Sequence, residues 1–410
     1  MARLHLFEAF GIELEYMLVS AETLDVLPKV DAILSAEAGG EIVSDVEFPE
    51  ITWSNELVRH VIELKTSAPR PNLDGLAVAM QEHVGRINAL AKEIGGRLLP
   101  TAMHPWMRPE REMELWPHDN HVIYETFNRI FDCRGHGWAN LQSMHINLPF
   151  ADDAEFGRLH AAIRLLLPLL PALAASSPIV EGAATGLLDS RLEQYRTNAR
   201  RIASITGRVV PEPVYTEADY DREIFQPMHR DIAPYDPDGV LQQEFLNARG
   251  AIARFSRGAI EIRVLDLQEC PQAEIAVARL VIDTLKRLVA ETWTPLSHQQ
   301  AVAVAPLERL LLGTIHDGER FAIDDPEYLA HFGIKEPGPM KAGEVLRRIA
   351  EGAEDPALKA GGASAPPLET ILNHGTLATR ILERLKAAGT EQRVYGELAD
   401  CLSVGSIFRP

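Results

Sequence analysis

The chain has 410 residues, 46% of them hydrophobic, which is ample for a sizeable buried core. Its 59 Asp and Glu against 40 Lys and Arg give a formal net charge of -19, which argues against nucleic-acid binding through phosphate contacts. Cys133, Cys270 and Cys401 are too few and too scattered for a disulfide framework or a zinc site with paired CxxC spacing, and they fit a reducing cytoplasm. The first strand-like segment, FGIELEY (10–16), sets Ile12, Leu14 and Tyr16 on one face and Glu13 and Glu15 on the other, because side chains alternate along a strand. The residues before it show no export-signal pattern, so a cytoplasmic protein is expected.

Residues 28–60 are mixed, and their acidic stretch EIVSDVEFPE reads as a hairpin or as a loop over a site. A second strand, HVIELKT (60–66), opposes Ile62 and Leu64 to Glu63. From Asn72 onward Leu73, Leu76, Met80, Val84, Ile87 and Ala91 recur at helical spacing, and the helix stops at Gly95-Gly96. Residues 96–106 read as a return to the sheet. His104, His118, His121 and His136 then lie in an aromatic-rich region, 104–138, that is either loop surface or a substrate lid. A third strand, QSMHINLPF (142–150), opposes Met144, Ile146 and Leu148 to His145 and Asn147.

A helix follows over 153–176. Its apolar run at 165–175 is far short of the roughly 18 to 20 residues that cross a bilayer, so no membrane partner is expected. Residues 177–250 are rich in Pro, Arg and Tyr and lack periodicity. The last strand, GAIEIRVLD (258–266), sets Ile260, Ile262 and Val264 against Glu261 and Arg263. A helix over 272–293 and further helices over 297–390 complete the chain. No repeat or clean linker appears, so one domain over 1–410 is expected, with 297–410 a mostly helical C-terminal portion.

If the four strands share a sheet, one face is oily and the other gathers four carboxylates, an imidazole and a guanidinium. Like charges so placed repel unless something positive lies among them. Oxygen donors with a single nitrogen suit Mg2+ or Mn2+. Arg263 beside such a site makes sense when a polyanion lies between the two, and a polyphosphate is the obvious one. Arg191, Arg196, Arg200, Arg201, Arg249, Arg254 and Arg257 precede it in an otherwise acidic chain. Neither a GxxxxGK[ST] loop nor a strand-linked GxGxxG is present, so metal and arginines would have to bind the phosphates. A metal-dependent hydrolase is the rival reading, since the same groups activate water.

The order of segments resembles the glutamate-cysteine ligase family, in its type 2, bacterial carboxylate-amine ligase branch of the glutamine-synthetase-like superfamily. GIELEYMLV resembles the family's G-x-E-x-E strand, HVIELKTSAPR its second acidic strand, TAMHPW its His-Pro turn, LAASSPIVEGAATGLLDSR its Ser-Pro to Ser-Arg series, and AIEIRVLD its closing E-x-R-x-x-D strand. The likeness covers roughly residues 8–270, with HGTLATRIL (374–382) also compatible. It implies an α+β fold in which a curved antiparallel sheet carries the active site and helices pack on its other face. It also implies ATP as a substrate and Mg2+ or Mn2+ held by Glu13, Glu15, Glu63, His145 and Glu261.

By the same likeness Arg263 and Glu261 would be catalytic, and Arg191, Arg249, Arg254 and Asn147 would bind ATP or substrate. The family often has a second histidine where Asn147 stands here, which leaves the number of metal ions open. The implied reaction joins an amino-acid carboxylate to an amine through an acyl phosphate; with glutamate and cysteine the product is γ-glutamylcysteine, a step of glutathione biosynthesis. A homodimer is the default assembly.

Overall fold

The computed structural model describes residues 3–409. Eight strands form its main sheet: β1 (Gly11–Ser20), β2 (Asp45–Glu47), β3 (Ile51–Asn55), β4 (Val61–Thr66), β5 (Gly96–Leu99), β6 (Ser143–Pro149), β7 (Ala251–Arg254) and β8 (Ala259–Asp266). Their order is β2-β3-β4-β1-β6-β8-β7, and β5 pairs with the second half of β1. Every pairing is antiparallel. The four polar-faced segments therefore occupy adjacent central strands, β4-β1-β6-β8, and the acidic stretch before β4 is a hairpin, β2-β3.

The helices that frame the site are α1 (Leu76–Glu93), α2 (His121–Phe131), α3 (Asp153–Leu166), α4 (Ser190–Asn198), α5 (Pro271–Val289), α6 (Leu377–Ala388) and α7 (Glu391–Val404). Ile12, Leu14 and Tyr16 of β1 are fully buried in one cluster with Leu76, Met80, Val84 and Ile87 of α1 and Leu280 and Val281 of α5. Each such aliphatic side chain contributes roughly 1.5–3 kcal/mol by leaving water. This burial fixes the register of β1, since a one-residue slip would bring the carboxylates into the core.

The opposite face of β1 changes character along its length. Beyond Glu13 and Glu15 it continues as Met17 and Val19, which pack with Leu99 against Leu377, Ile381, Val394, Tyr395 and Leu398 of α6 and α7. Helices thus cover both faces at this end of the sheet, the oily face as the family resemblance implies and, through α6 and α7, part of the other face as well. The carboxylates stand where that covering stops.

Between Ile262↔Ile146 and Leu265↔Met144, two residues of β8 oppose one of β6, a bulge at Arg263-Val264. Cross-strand partners share a face, so the bulge returns Asp266, the partner of Ser143, to the side of Glu261 and Asn147. Without it the alternation would send Asp266 into the oily layer. This is the physical sense of the spacing E-x-R-x-x-D.

The helix expected over 153–176 runs through α3, a 3-10 turn at Leu167–Leu169 and a last segment, Leu170–Ala174, which accommodate Pro168 and Pro171. The 22 residues Asp153–Ala174 are long and apolar enough to cross a membrane, but 94% of the apolar window is buried inside the protein. The irregular stretch 177–250 holds α4 and the short helices Glu217–Tyr220 and Gln226–Ile232, the latter two joined through a π-helical turn.

Candidate active site

Antiparallel pairing sets Glu13 opposite His145 and Glu261 opposite Asn147, so β1, β6 and β8 deliver three ionisable groups to one point. His145 Nδ1 lies 2.9 Å from Glu13 Oε2 and 3.7 Å from Glu261 Oε1. Asn147 Nδ2 donates to Glu13 Oε1 at 2.9 Å. Glu15 Oε2 accepts from the Ser143 backbone N–H at 2.7 Å and from Ser143 Oγ at 2.9 Å. The Ser143 hydroxyl has one hydrogen, and when Glu15 takes it His145 Nε2, 2.9 Å from Oγ, must be the donor there. With Nδ1–H directed at Glu13, the ring is then an imidazolium. Burial opposes that charge, but the Glu13 hydrogen bond and the Glu15, Glu13 and Glu261 charges outweigh it and raise the His145 pKa. Burial likewise works against an ionised Glu13, yet the His145 contact, Lys65 and Asn147 hold its carboxyl at about 2.

Two neighbours of this cluster are not anticipated from sequence. Lys65, on the Glu63 side of β4, places Nζ 2.8 Å from Glu63 Oε2 and is legible in hindsight as the next alternate position in HVIELKT. Glu56 follows β3 and has no periodic signal. Burial and the Glu15 charge push its carboxyl up to about 7, and burial with the Glu13 and Glu56 charges raises Glu63 as well. A carboxyl raised on folding favours the folded state below its unfolded pKa and loses that advantage as it is forced to ionise. The metal-free protein is therefore expected to lose melting temperature as pH rises from about 4.5 to about 7. Mg2+ should restore more of it at the upper end of that window, as differential scanning calorimetry with and without the cation would show.

Beside the carboxylates opens a cavity of about 560 Å3, within the usual size of small-molecule sites. Glu15, Glu56, Ser143 and His145 line one part, and Arg191, Arg254, Arg257 and Arg263 another. Arg263 Nε lies 2.8 Å from Glu261 Oε1, and Arg254 Nη1 donates to Glu261 Oε2 at 3.1 Å. Arg191 is anchored on Asp266 at 2.7 Å and on the Arg263 and Leu265 carbonyls, at the base of the bulge.

Arg249, expected at a phosphate or substrate carboxylate, is not in this lining. It is buried in a clamp with Glu212 Oε2 at 2.5 Å, the Ser204 carbonyl and Asn247 Oδ1, so it braces the 204–249 segment. The region 104–138 contributes aromatic groups rather than imidazoles: Tyr124, Phe127 and Trp138 line the cavity. His104 is buried, with Nε2 2.8 Å from the Leu24 carbonyl, while His118 meets Asp31 and His136 meets Glu181. Burial pushes the Cys133 thiol up to about 12, which makes it a poor redox group.

Of the five expected metal ligands, Glu13, His145 and Glu261 each offer an atom within 4.8 Å of the others. Glu15 and Glu63 share the face as cross-strand partners but are turned to Ser143 and Lys65. Two carboxylates and one imidazole, the latter once His145 gives up a ring proton to the incoming cation, fit a hard divalent cation such as Mg2+ or Mn2+ with further buried carboxylates crowded beside them.

Residues 9–397 match glutamate-cysteine ligase family 2. A protein of Archaeoglobus fulgidus with no assigned function is 35% identical over 273 residues, 67% of this chain and 73% of its own. A protein of Bradyrhizobium sp. strain ORS 278, provisionally named glutamate-cysteine ligase 2, is 24% identical over 400 residues, 93% of this chain and 84% of its own. Among solved structures, glutamate-cysteine ligase of Francisella tularensis in complex with AMP superposes with TM-score 0.64 at 14% identity, over 99% of this chain and 89% of that one. A bifunctional glutathione synthetase from Pasteurella multocida gives TM-score 0.61 at 15% identity over 98% of this chain, which spans only 52% of that one. At such identities the structural likeness speaks for the fold alone. Matched over nearly its whole length, the chain belongs to glutamate-cysteine ligase family 2 and is an ATP-dependent ligase.

Proposed function

We propose that this protein joins a carboxylate to an amine at the expense of ATP through an acyl phosphate, with glutamate as the carboxylate substrate. The observation that carries the reading is the convergence of Glu13, His145 and Glu261 beside an arginine-lined cavity of substrate size. Glu13, His145 and Glu261 would hold Mg2+ or Mn2+, with Glu15 and Glu63 in reserve on the same face. When bound, the cation would draw charge off the phosphate oxygens.

The substrate carboxylate oxygen attacks the terminal phosphorus, the bond to the bridging oxygen breaks, and ADP leaves. Arg263 and Arg254, fixed on Glu261, are placed to meet the negative charge of the phosphoryl group in transfer. Arg191, locked on Asp266 and lining the cavity, would meet the anionic substrate through its remaining guanidinium nitrogen. The amine nitrogen then attacks the acyl carbon, the bond from that carbon to the phosphate oxygen breaks, and amide, phosphate and a proton are released. With cysteine as the amine the product is γ-glutamylcysteine, the first product to assay.

The test is ADP formation with Mg2+, ATP, glutamate and a panel of amines. Ligation requires ADP to appear only when carboxylate and amine are both present, whereas nucleotide turnover indifferent to the amine contradicts it. Arg263→Lys is expected to lower turnover by roughly 10²-fold or more, because a point charge does not replace a planar fork of donors. A rate within a few-fold of the parent would leave Arg263 with a purely structural part.

A further inference from the structure

One wall of the cavity is built of aromatic and aliphatic side chains without a charged group. Helix α2 supplies Ile123, Tyr124 and Phe127, the short helix His136–Ala139 supplies Trp138, and the turn Glu244–Leu246 supplies Phe245 and Leu246. The rings brace one another, with Phe127 5.2 Å from Trp138 and 6.4 Å from Phe245 between centroids. Phe131, outside the lining, stacks on Trp138 at 5.3 Å, and the indole N–H donates to the Asn198 carbonyl at 3.2 Å. The wall is thus held rigid before any ligand arrives, which lowers the ordering cost of burying an apolar group against it.

Glu56 lines the same cavity beside this wall. Tyr124 Oη accepts from Asn55 Nδ2 at 3.1 Å, which ties the wall to the residue preceding Glu56. Glu13, Glu15, Glu63 and Glu261 each have a hydrogen-bond partner, but among the described residues the Glu56 carboxylate has none. A half-buried carboxyl crowded by Glu15 and without a hydrogen-bond partner ionises at a cost until a cation meets it. Set beside aromatic faces, it matches an ammonium group carrying an apolar side chain. The phosphates of a nucleotide would be repelled from the same place.

We infer that Glu56 and the wall of Tyr124, Phe127, Trp138 and Phe245 form the subsite for the amine substrate. That amine is a primary ammonium compound of amino-acid size with a bulky apolar side chain, a class in which cysteine stands at the small end. The inference rests on the ligase reading and adds the side of the reaction that the reading leaves open.

The experiment is a kcat/KM series with alanine, cysteine, leucine and phenylalanine as amines, at saturating ATP and glutamate, in the parent protein and in Glu56→Gln and Trp138→Ala. The expected result is a rise along the series, by about ten-fold or more from cysteine to leucine or phenylalanine. Glu56→Gln should raise KM for every amine by about ten-fold or more with KM for ATP unchanged, because a neutral amide no longer pairs with the ammonium. Trp138→Ala should flatten the series, and if that variant does not fold, Phe127→Leu tests the same wall. Preference for alanine or cysteine over the bulky amines overturns the inference while the ligase reading stands. So does a rise in KM for ATP in place of the amine, which would make the wall a nucleotide-base site. Absence of ADP with every amine overturns both.

Discussion

Glu261→Gln is expected to reduce ligation-linked ADP formation by roughly 10³-fold or more at a temperature where the variant is still fully folded, whatever melting temperature it loses with its buried ion pairs. Glu261 is where the strands meet: one oxygen faces Arg263 Nε and His145 Nδ1, and the other accepts from Arg254 Nη1. The amide keeps the shape but loses the charge that orients both arginines and that would complete the proposed cation site. Its packing neighbours are unaffected, since Ile260 and Ile262 bury on the other face of β8. Steady-state kinetics with a parallel thermal melt separates the two effects. Turnover within a few-fold of the parent would remove Glu261 from the reaction.

Arg380→Ala is expected to produce the largest loss of stability, about 3–5 kcal/mol, because it strands a buried carboxylate. Arg380 and Glu269 are both fully buried, joined at 2.6 Å, and Arg380 also donates to the Phe408 carbonyl at 2.6 Å. This pair fastens α6 and Phe408 to the segment after β8, and α6 in turn covers Met17 and Val19 beyond Glu15. Urea unfolding should show a large fall in midpoint. The double variant Arg380→Met with Glu269→Leu should recover much of it, since an apolar pair leaves no orphaned charge. An unchanged midpoint in Arg380→Ala would show that the pair contributes nothing to stability.

What could be read from sequence follows from what alternates. Period-two patterning in FGIELEY, HVIELKT, QSMHINLPF and GAIEIRVLD exposed the sheet, its two faces and the charged groups on one of them. Long helices such as α1 and α5 were legible from 3.6-residue spacing, with ends displaced by a few residues. The bulge at Arg263-Val264 was not, since it depends on pairing with β6, although the spacing of Glu261, Arg263 and Asp266 carried its trace. Glu56 and the aromatic wall lie on connections and short helices without periodicity, so only the folded chain brings them to the cavity. Arg249 misled because a guanidinium in an acidic chain suggests an anionic ligand, and the Glu212 that neutralises it is 37 residues away in sequence. The C-terminal helices were foreseen as helices, but their place over Met17 and Val19 follows from tertiary packing alone.

On the proposed reading, three strands together hold a cation under the phosphates of ATP. The most direct test is a crystal of the parent protein grown with Mn2+ and a non-hydrolysable ATP analogue, with anomalous scattering measured at the manganese edge. The predicted result is a peak ligated by Glu13, His145 and Glu261, with the terminal phosphate between it and Arg263. Nucleotide and manganese bound elsewhere, with His145 still hydrogen-bonded to Glu13, would contradict it.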